Sequence, residues 1–273
     1  MAFCSNCGAQ LDEGKNFCTK CGTKAGGSPK VTLPKPNRKV LFVIAAAIIV
    51  VAAAVMVVRG QGGGGIFAFI SSPAETSPEY FETEIFDHDD AVAAGLSDGG
   101  VIVTGYIGTA KEVVIPKTIN GLSVVGIGYR AFVKKELTRV TIPNSVVFIW
   151  GSAFSENQLT SVTIPNSVIE VGAAAFAGNK LTSVKIPNSV TSIAYCAFYR
   201  NQLIRVTIPN SVTTIGPMAF EYNQLTRVTI PNSVTIIDGG AFRNNQLTSV
   251  TIPGSVTDLA DSAFDANVKV TRR

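Results

Sequence analysis

The dipeptide Ala-Phe recurs along the second half of this 273-residue chain with its phenylalanine at Phe132, Phe154, Phe176, Phe198, Phe220, Phe242 and Phe264, a step of 22 every time. Pro143, Pro165, Pro187, Pro209, Pro231 and Pro253 keep the same step. A typical unit, Leu159 to Lys180, reads LTSVTIPNSVIEVGAAAFAGNK. A unit this short cannot bury its own apolar face, so it becomes stable only by stacking on neighbours. The period therefore predicts a repeat solenoid.

Within a unit, Leu159, Val162 and Ile164 are placed to point inward from a short strand, while Ser161 and Thr163 alternate outward. Pro165 ends the strand, because it has no N–H to donate to a continuing ladder. Ala175 and Phe176 fall on a return segment, expected to be irregular or 3-10 helical, where stacked phenylalanines form the back of the core. Asn157, Asn179, Asn201, Asn223, Asn245 and Asn267 recur before each next strand. Buried there, their amides would satisfy turn backbone groups in a repeated ladder.

The pattern Leu-Thr-Ser-Val-Thr-Ile-Pro-Asn-Ser-Val followed by Ala-Phe-x-x-Asn resembles the BspA-like leucine-rich repeats of bacterial surface proteins. The resemblance runs from about Val101 to Arg273, with six full units starting at Leu137. The leading unit, TGYIGTAKEVVIPKTINGLSVVGI, spends 16 residues from Pro116 to Phe132 where later units spend 11, so it carries an insertion. Val268 to Val270 is left as a capping strand. The resemblance implies an exported, curved solenoid used for attachment or protein binding.

Charge divides the chain. The first 59 residues hold eight bases and two acids, whereas residues 60–100 hold eight acids and no base. Between these regions, Val40 to Val58 is an unbroken run of 19 apolar residues. As a helix it is about 28 Å long, close to the hydrocarbon thickness of a bilayer. A buried core helix would show a polar face, and this run has none. A cleaved signal peptide would not follow 39 residues that contain a plausible module. Residues 40–58 are therefore expected to be one transmembrane helix. Lys30, Lys35, Arg38 and Lys39 precede it, and after Arg59 the next base is Lys111, which places the N-terminus in the cytoplasm and the repeats outside. No pair of small residues falls four apart in the run, so it reads as an anchor and not as a helix-pairing device.

Four of the five cysteines form two hooks, Cys4-Ser-Asn-Cys7-Gly and Cys18-Thr-Lys-Cys21-Gly, with ten residues between them. Two such hooks can set four thiolates tetrahedrally around one structural zinc ion. A module of about 22 residues has no room for a hydrophobic core, so the metal would supply its stability. Disulfides or redox dithiols are the alternative, and a cytosolic location disfavours disulfides. Residues 1–24 resemble the short zinc ribbon at the N-terminus of many bacterial membrane proteins, which implies a structural or protein-binding role. With four cysteines as ligands no position is open for a catalytic water. The resulting division is ribbon 1–24, basic Pro/Gly linker 25–39, transmembrane helix 40–58, Gly-rich and acidic spacer with a possible N-terminal cap 59–100, and solenoid 101–273.

Two rows of side chains face outward from the strands. One is Arg139, Ser161, Ser183, Arg205, Arg227 and Ser249; the other is Thr141, Thr163, Lys185, Thr207, Thr229 and Thr251. Repeat proteins commonly bind through such a face, so Arg139, Lys185, Arg205 and Arg227 are candidate ligand contacts. Around Ala-Phe, Trp150, Tyr199 and Tyr222 are candidate aromatic anchors if exposed, and edge packing if not. Phe148 and Tyr195 belong to the same variable set. Cys196 stands alone and is read as a free, partly buried thiol. Asp87-His88-Asp89-Asp90 departs from the EF-hand pattern at Ala91 and Val92.

These features point to a membrane-anchored surface protein that presents its solenoid to an extracellular protein or glycan. A transmembrane sensor, relaying external binding to the ribbon, is the second reading. Ligand-dependent crosslinking of the ribbons separates the two. An enzyme is not expected: there is no Ser/His/Asp set, no phosphate loop and a single histidine, His88. Nucleic acid is not an expected partner, because a net charge of +4 spread over the chain is no basic footprint.

Overall fold

A computed structural model of the chain describes residues 75–86 and 99–273. The cysteine hooks, the linker, the 40–58 run and most of the acidic segment lie outside the described residues. Among the described residues, no helix is long and apolar enough to cross a membrane.

The strands at the Leu-x-x-Val-x-Ile positions form where the period places them: β6 (Arg139–Thr141), β9 (Ser183–Lys185), β11 (Arg205–Thr207) and β14 (Ser249–Ile252). Residues 112–114 supply an earlier strand, β3, paired in parallel with β6 so that Val113 meets Val140. β9 and β11 pair in register one period apart, Ser183 with Arg205 and Val184 with Val206. The proline that follows each strand opens a turn closed by the valine three residues on. Val146, Val168, Val190, Val212, Val234 and Val256 each donate to the proline carbonyl at 3.1 Å. This first ladder is interrupted at 161–163 and 227–229, which hold equivalent positions without strand pairing.

The return side differs from expectation. After each proline turn the chain forms a second ladder of two-residue strands: β7 (Phe148–Ile149), β8 (Glu170–Val171), β10 (Ser192–Ile193), β12 (Thr214–Ile215), β13 (Ile236–Ile237) and β15 (Asp258–Leu259). They pair in parallel, with one break between β8 and β10. Ile149, Val171, Ile193, Ile215 and Ile237 are buried in them, as is Phe148 in β7. A further row of backbone bonds follows at the Ala-Phe corner, where Ala174 N–H donates to Tyr195 O at 2.8 Å and Phe176 N–H to Ala197 O at 3.0 Å.

No 3-10 helix forms at these corners. Six of the seven hold a left-handed residue, with φ of 59° at Arg130, 56° at Ser152, 54° at Ala174, 53° at Cys196, 53° at Met218 and 70° at Gly240. A 3-10 turn requires negative φ throughout, so a left-handed residue excludes it in these corners. Among the described residues, the one 3-10 segment is Pro78–Tyr80, outside the repeats.

The core is a column of rings. Phe132, Phe154, Phe176, Phe198, Phe220, Phe242 and Phe264 stack face to face, with centroids 5.0–5.8 Å apart and planes within 18° of parallel. Tyr106 continues the column onto Phe132 at 5.6 Å, and Phe81 packs on Tyr106.

Both ends are closed by chain outside the regular units. Strand β1 (Phe81–Phe86) runs antiparallel to β2 (Gly100–Tyr106), which pairs in parallel with β5 (Leu122–Ile127). Residues 81–86, expected within the acidic spacer or a cap, are therefore a strand of the solenoid's edge: Phe81 and Phe86 bind rings of the core while Glu82 and Glu84 stay exposed. The insertion in the leading unit is a hairpin. β4 (Thr118–Ile119) pairs antiparallel with β5 across Asn120 and Gly121, whose φ values of 53° and 80° give the tight turn that matches strand twist. At the other end β16 (Lys269–Arg272) adds in parallel to β14.

Candidate functional site

Asparagines join the turns and hold the exposed faces in place. Asn201 Nδ2 donates to Phe176 O at 2.9 Å in the preceding turn and to Phe198 O at 3.2 Å in its own, while its Oδ1 accepts from Leu181 N–H at 3.1 Å. Asn157, Asn179, Asn223 and Asn245 make the same set. The expected sixth member does not join. Asn267 is exposed, and Asp265 closes that end by accepting from the N–H groups of Asn244 and Asn245.

On this scaffold the candidate ligand residues separate into two places. Arg139, Lys185, Arg205 and Arg227 are exposed on the first ladder. Arg139 stands opposite Glu112 across the β3–β6 pair, which offsets its charge. Lys185 stands opposite Thr207. Arg205 and Arg227 line one open groove of about 430 Å³ together with Thr182, Ser183, Ile204 and Thr229. A second hollow of about 380 Å³ adjoins it, sharing Val206 and Thr229 and reached by Arg273.

The groove opens where strand pairing on the first ladder stops. Arg205 and Arg227 are one period apart, and the 22-residue register sets such residues side by side on neighbouring turns. Like charges directly opposite each other destabilise strand pairing. Nothing in the side chains explains the other interruption, at 161–163.

The aromatic candidates lie on the return side. Tyr199 and Tyr222 meet edge to face at 5.6 Å, and the Arg200 guanidinium sits 5.3 and 5.4 Å from their ring centres. This cluster is satisfied by the protein's own cation, and only Tyr222 is largely exposed. Trp150 is half-buried. Phe148 is buried against Phe86 and takes no part in a surface.

One polar cluster was not foreseen. The Glu221 carboxylate is buried, its side chain 2% exposed, and its Oε1 accepts from Arg243 Nε and Nη2, each at 2.8 Å, and from Asn244 Nδ2 at 3.1 Å. Hydrogen bonding to Glu221 raises the Arg243 pKa further above its ordinary value. The signal was present one period apart: the residue after Ala-Phe is Glu221, then Arg243, then Asp265. Beside it Cys196 is a buried free thiol, pushed up in pKa first by burial. Its hydrogen bond with Tyr195 raises the tyrosine. Among the described residues no three His, Cys, Asp or Glu side chains come together where a metal ion could sit.

A family model described as a BspA type leucine-rich repeat region (6 copies) matches residues 109–158, 125–238 and 148–271. A zinc-ribbon domain model matches residues 3–25. Among solved structures, the chain is similar to a leucine-rich repeat protein from Bacteroides ovatus at 22% identity, over 63% of each chain, with a TM-score of 0.41. The chain thus spans less than two thirds of that protein. It is also similar to the T. pallidum leucine-rich repeat protein (24% identity, 72% of this chain and 86% of that one, TM-score 0.38). A leucine-rich cell surface protein from Faecalibacterium prausnitzii matches at 21% identity over 74% of this chain and 77% of that one, with a TM-score of 0.44. None of the curated proteins matches the chain.

Proposed function

The chain belongs to the BspA-type leucine-rich-repeat family, and on that footing we propose that it is a membrane-anchored binding protein that holds its solenoid outside the cell and its zinc ribbon inside. The observation that carries this reading is the order of its parts. A bilayer-length apolar run, with bases before it and an acidic, base-free stretch after it, stands directly in front of a family solenoid. The solenoid then presents an exposed polar ladder to an extracellular protein or glycan, and the anchor keeps that surface at the cell boundary.

The ribbon's role follows from its donor set. Cys4, Cys7, Cys18 and Cys21 would hold one zinc ion, which supplies tetrahedral crosslinking to a module too small for an apolar core. Four thiolates complete the coordination, so the site is structural and any cytosolic partner would meet the ribbon's surface.

Adhesion tests the reading. Cells carrying the full chain adhere to immobilised matrix proteins or glycans, and cells carrying the chain without residues 101–273 lose that adhesion. Equal adhesion by the two contradicts it.

A further inference from the structure

The geometry points to the Arg205–Arg227 groove as the binding site for an acidic protein segment that carries an apolar side chain beside its carboxylates. The inference rests on the surface-binding reading above and gives that surface a place and a partner chemistry.

Three observations converge on the groove. The first is its departure from the repeat. The position before each outward arginine or serine is Thr138, Thr160, Thr182, Thr226 or Thr248 in five units and Ile204 in the sixth. Ile204 is 52% exposed and lines the groove. Arg205 and Arg227 occupy a row whose other members are Ser161, Ser183, Ser249 and Arg139, the last standing opposite Glu112. Stacking constrains the inward positions, whereas these outward ones are free of it. The apolar exception and two adjacent basic ones fall together on neighbouring turns.

The second is charge. From Arg139 to Thr251 the first ladder and its flanks carry only bases. The acids of that stretch lie elsewhere: Glu156 at a return corner paired with Lys134, Glu170 on β8, Glu221 buried with Arg243, and Asp238 just after β13. No carboxylate of the ladder therefore faces Arg205 or Arg227, unlike Arg139 opposite Glu112. Two guanidiniums on neighbouring turns, one period apart, can each fork a carboxylate, or together grip two on one extended segment.

The third is the lining between them. Thr182, Ser183 and Thr229 supply hydroxyls that can donate to carboxylates or accept from peptide N–H groups, and Ile204 supplies an apolar contact. An anionic polysaccharide satisfies the guanidiniums and hydroxyls but leaves the isoleucine against polar groups. An acidic peptide with a leucine or valine satisfies all three.

The test uses the full chain in detergent micelles and a fluorescein-labelled ten-residue peptide of alternating Glu and Leu, read by anisotropy, with polygalacturonate as the competing probe. The peptide binds with an affinity that falls as salt rises. Arg205→Gln/Arg227→Gln weakens it at least tenfold and flattens the salt dependence. Ile204→Thr weakens it several-fold without changing that slope, and Lys117→Gln, at an exposed base outside the groove, leaves it unchanged. Circular dichroism confirms that each variant keeps its fold. Peptide affinity unaltered in the double variant, or groove-dependent binding of polygalacturonate without the peptide, overturns the inference. If adhesion through residues 101–273 persists in the double variant, the groove assignment fails and the surface reading stands. Loss of adhesion in the parent chain itself removes the surface reading.

Discussion

Asn201 shows how single residues set this fold. Its amide joins two turns through Phe176 O, Phe198 O and Leu181 N–H, all buried. Asn201→Ala leaves the buried Leu181 N–H without its partner, while Phe176 O keeps Asn179 Nδ2 and Phe198 O keeps Asn223 Nδ2; one unpaired buried donor costs about 1–3 kcal/mol. Denaturant unfolding of the variant should show a loss of about 1–3 kcal/mol. Asn267→Ala, at the exposed end of the same sequence row, should change stability by no more than about 0.5 kcal/mol. Equal effects at the two positions would show that the amide ladder is incidental. The asparagines were legible because a polar residue recurring at fixed phase in an apolar return must find buried partners. The failure of Asn267 was not, because the period says nothing of the turn at which the ladder ends.

At the scale of elements, what the sequence hides is whatever is too short or too singular for a period. The first-ladder strands follow from alternation across Leu159, Val162 and Ile164. The second ladder escapes the same reasoning because strands of two residues, such as Ser192–Ile193, have no alternation to read. The leading hairpin carried its signal in Asn120-Gly121 between Ile119 and Leu122, yet a residue count alone reports it as an insertion. Strand β1 was obscured by Glu82 and Glu84, which face solvent while Phe81 does the packing. The Glu221–Arg243 pair is an element-scale contact as well, one turn binding the next. With Arg243→Ala the Glu221 carboxylate stays buried beside Asn244 alone. The melting temperature should fall by several degrees, and adding Glu221→Gln should restore most of the loss, because a neutral amide is less costly to bury unpaired. Absence of that rescue would mean that Arg243 stabilises through packing alone. The N-terminal hooks form an element with its own test. Metal analysis of the purified chain should find one zinc per chain, and Cys18→Ser should abolish it. A metal-free wild-type ribbon that stays folded would contradict the assignment.

For the whole molecule, the low charge of the chain finds its place. From Leu137 to Val268 the repeats hold seven acids and seven bases, so the solenoid is wetted mainly by Ser, Thr, Asn and Gln. The first ladder carries bases alone, Arg139, Lys185, Arg205 and Arg227, while the acids lie on corners, in the Glu221 cluster or along the second ladder, with Arg200 and Arg243 on the return side. That sorting followed from the rows once the ladders were in place. The candidate site was only half legible: Arg205 and Arg227 could be named from sequence, but the groove between them and the distance from Tyr199 and Tyr222 come from the stacking of turns. The sorted face acts as a binding surface only if it lies outside the membrane. Protease treatment of intact cells that carry an N-terminal and a C-terminal tag on the full chain tests this most directly. The account predicts that the C-terminal tag and the repeats are lost while the N-terminal tag is protected until the cells are lysed. Protection of both tags, or digestion of the N-terminal one first, would contradict it.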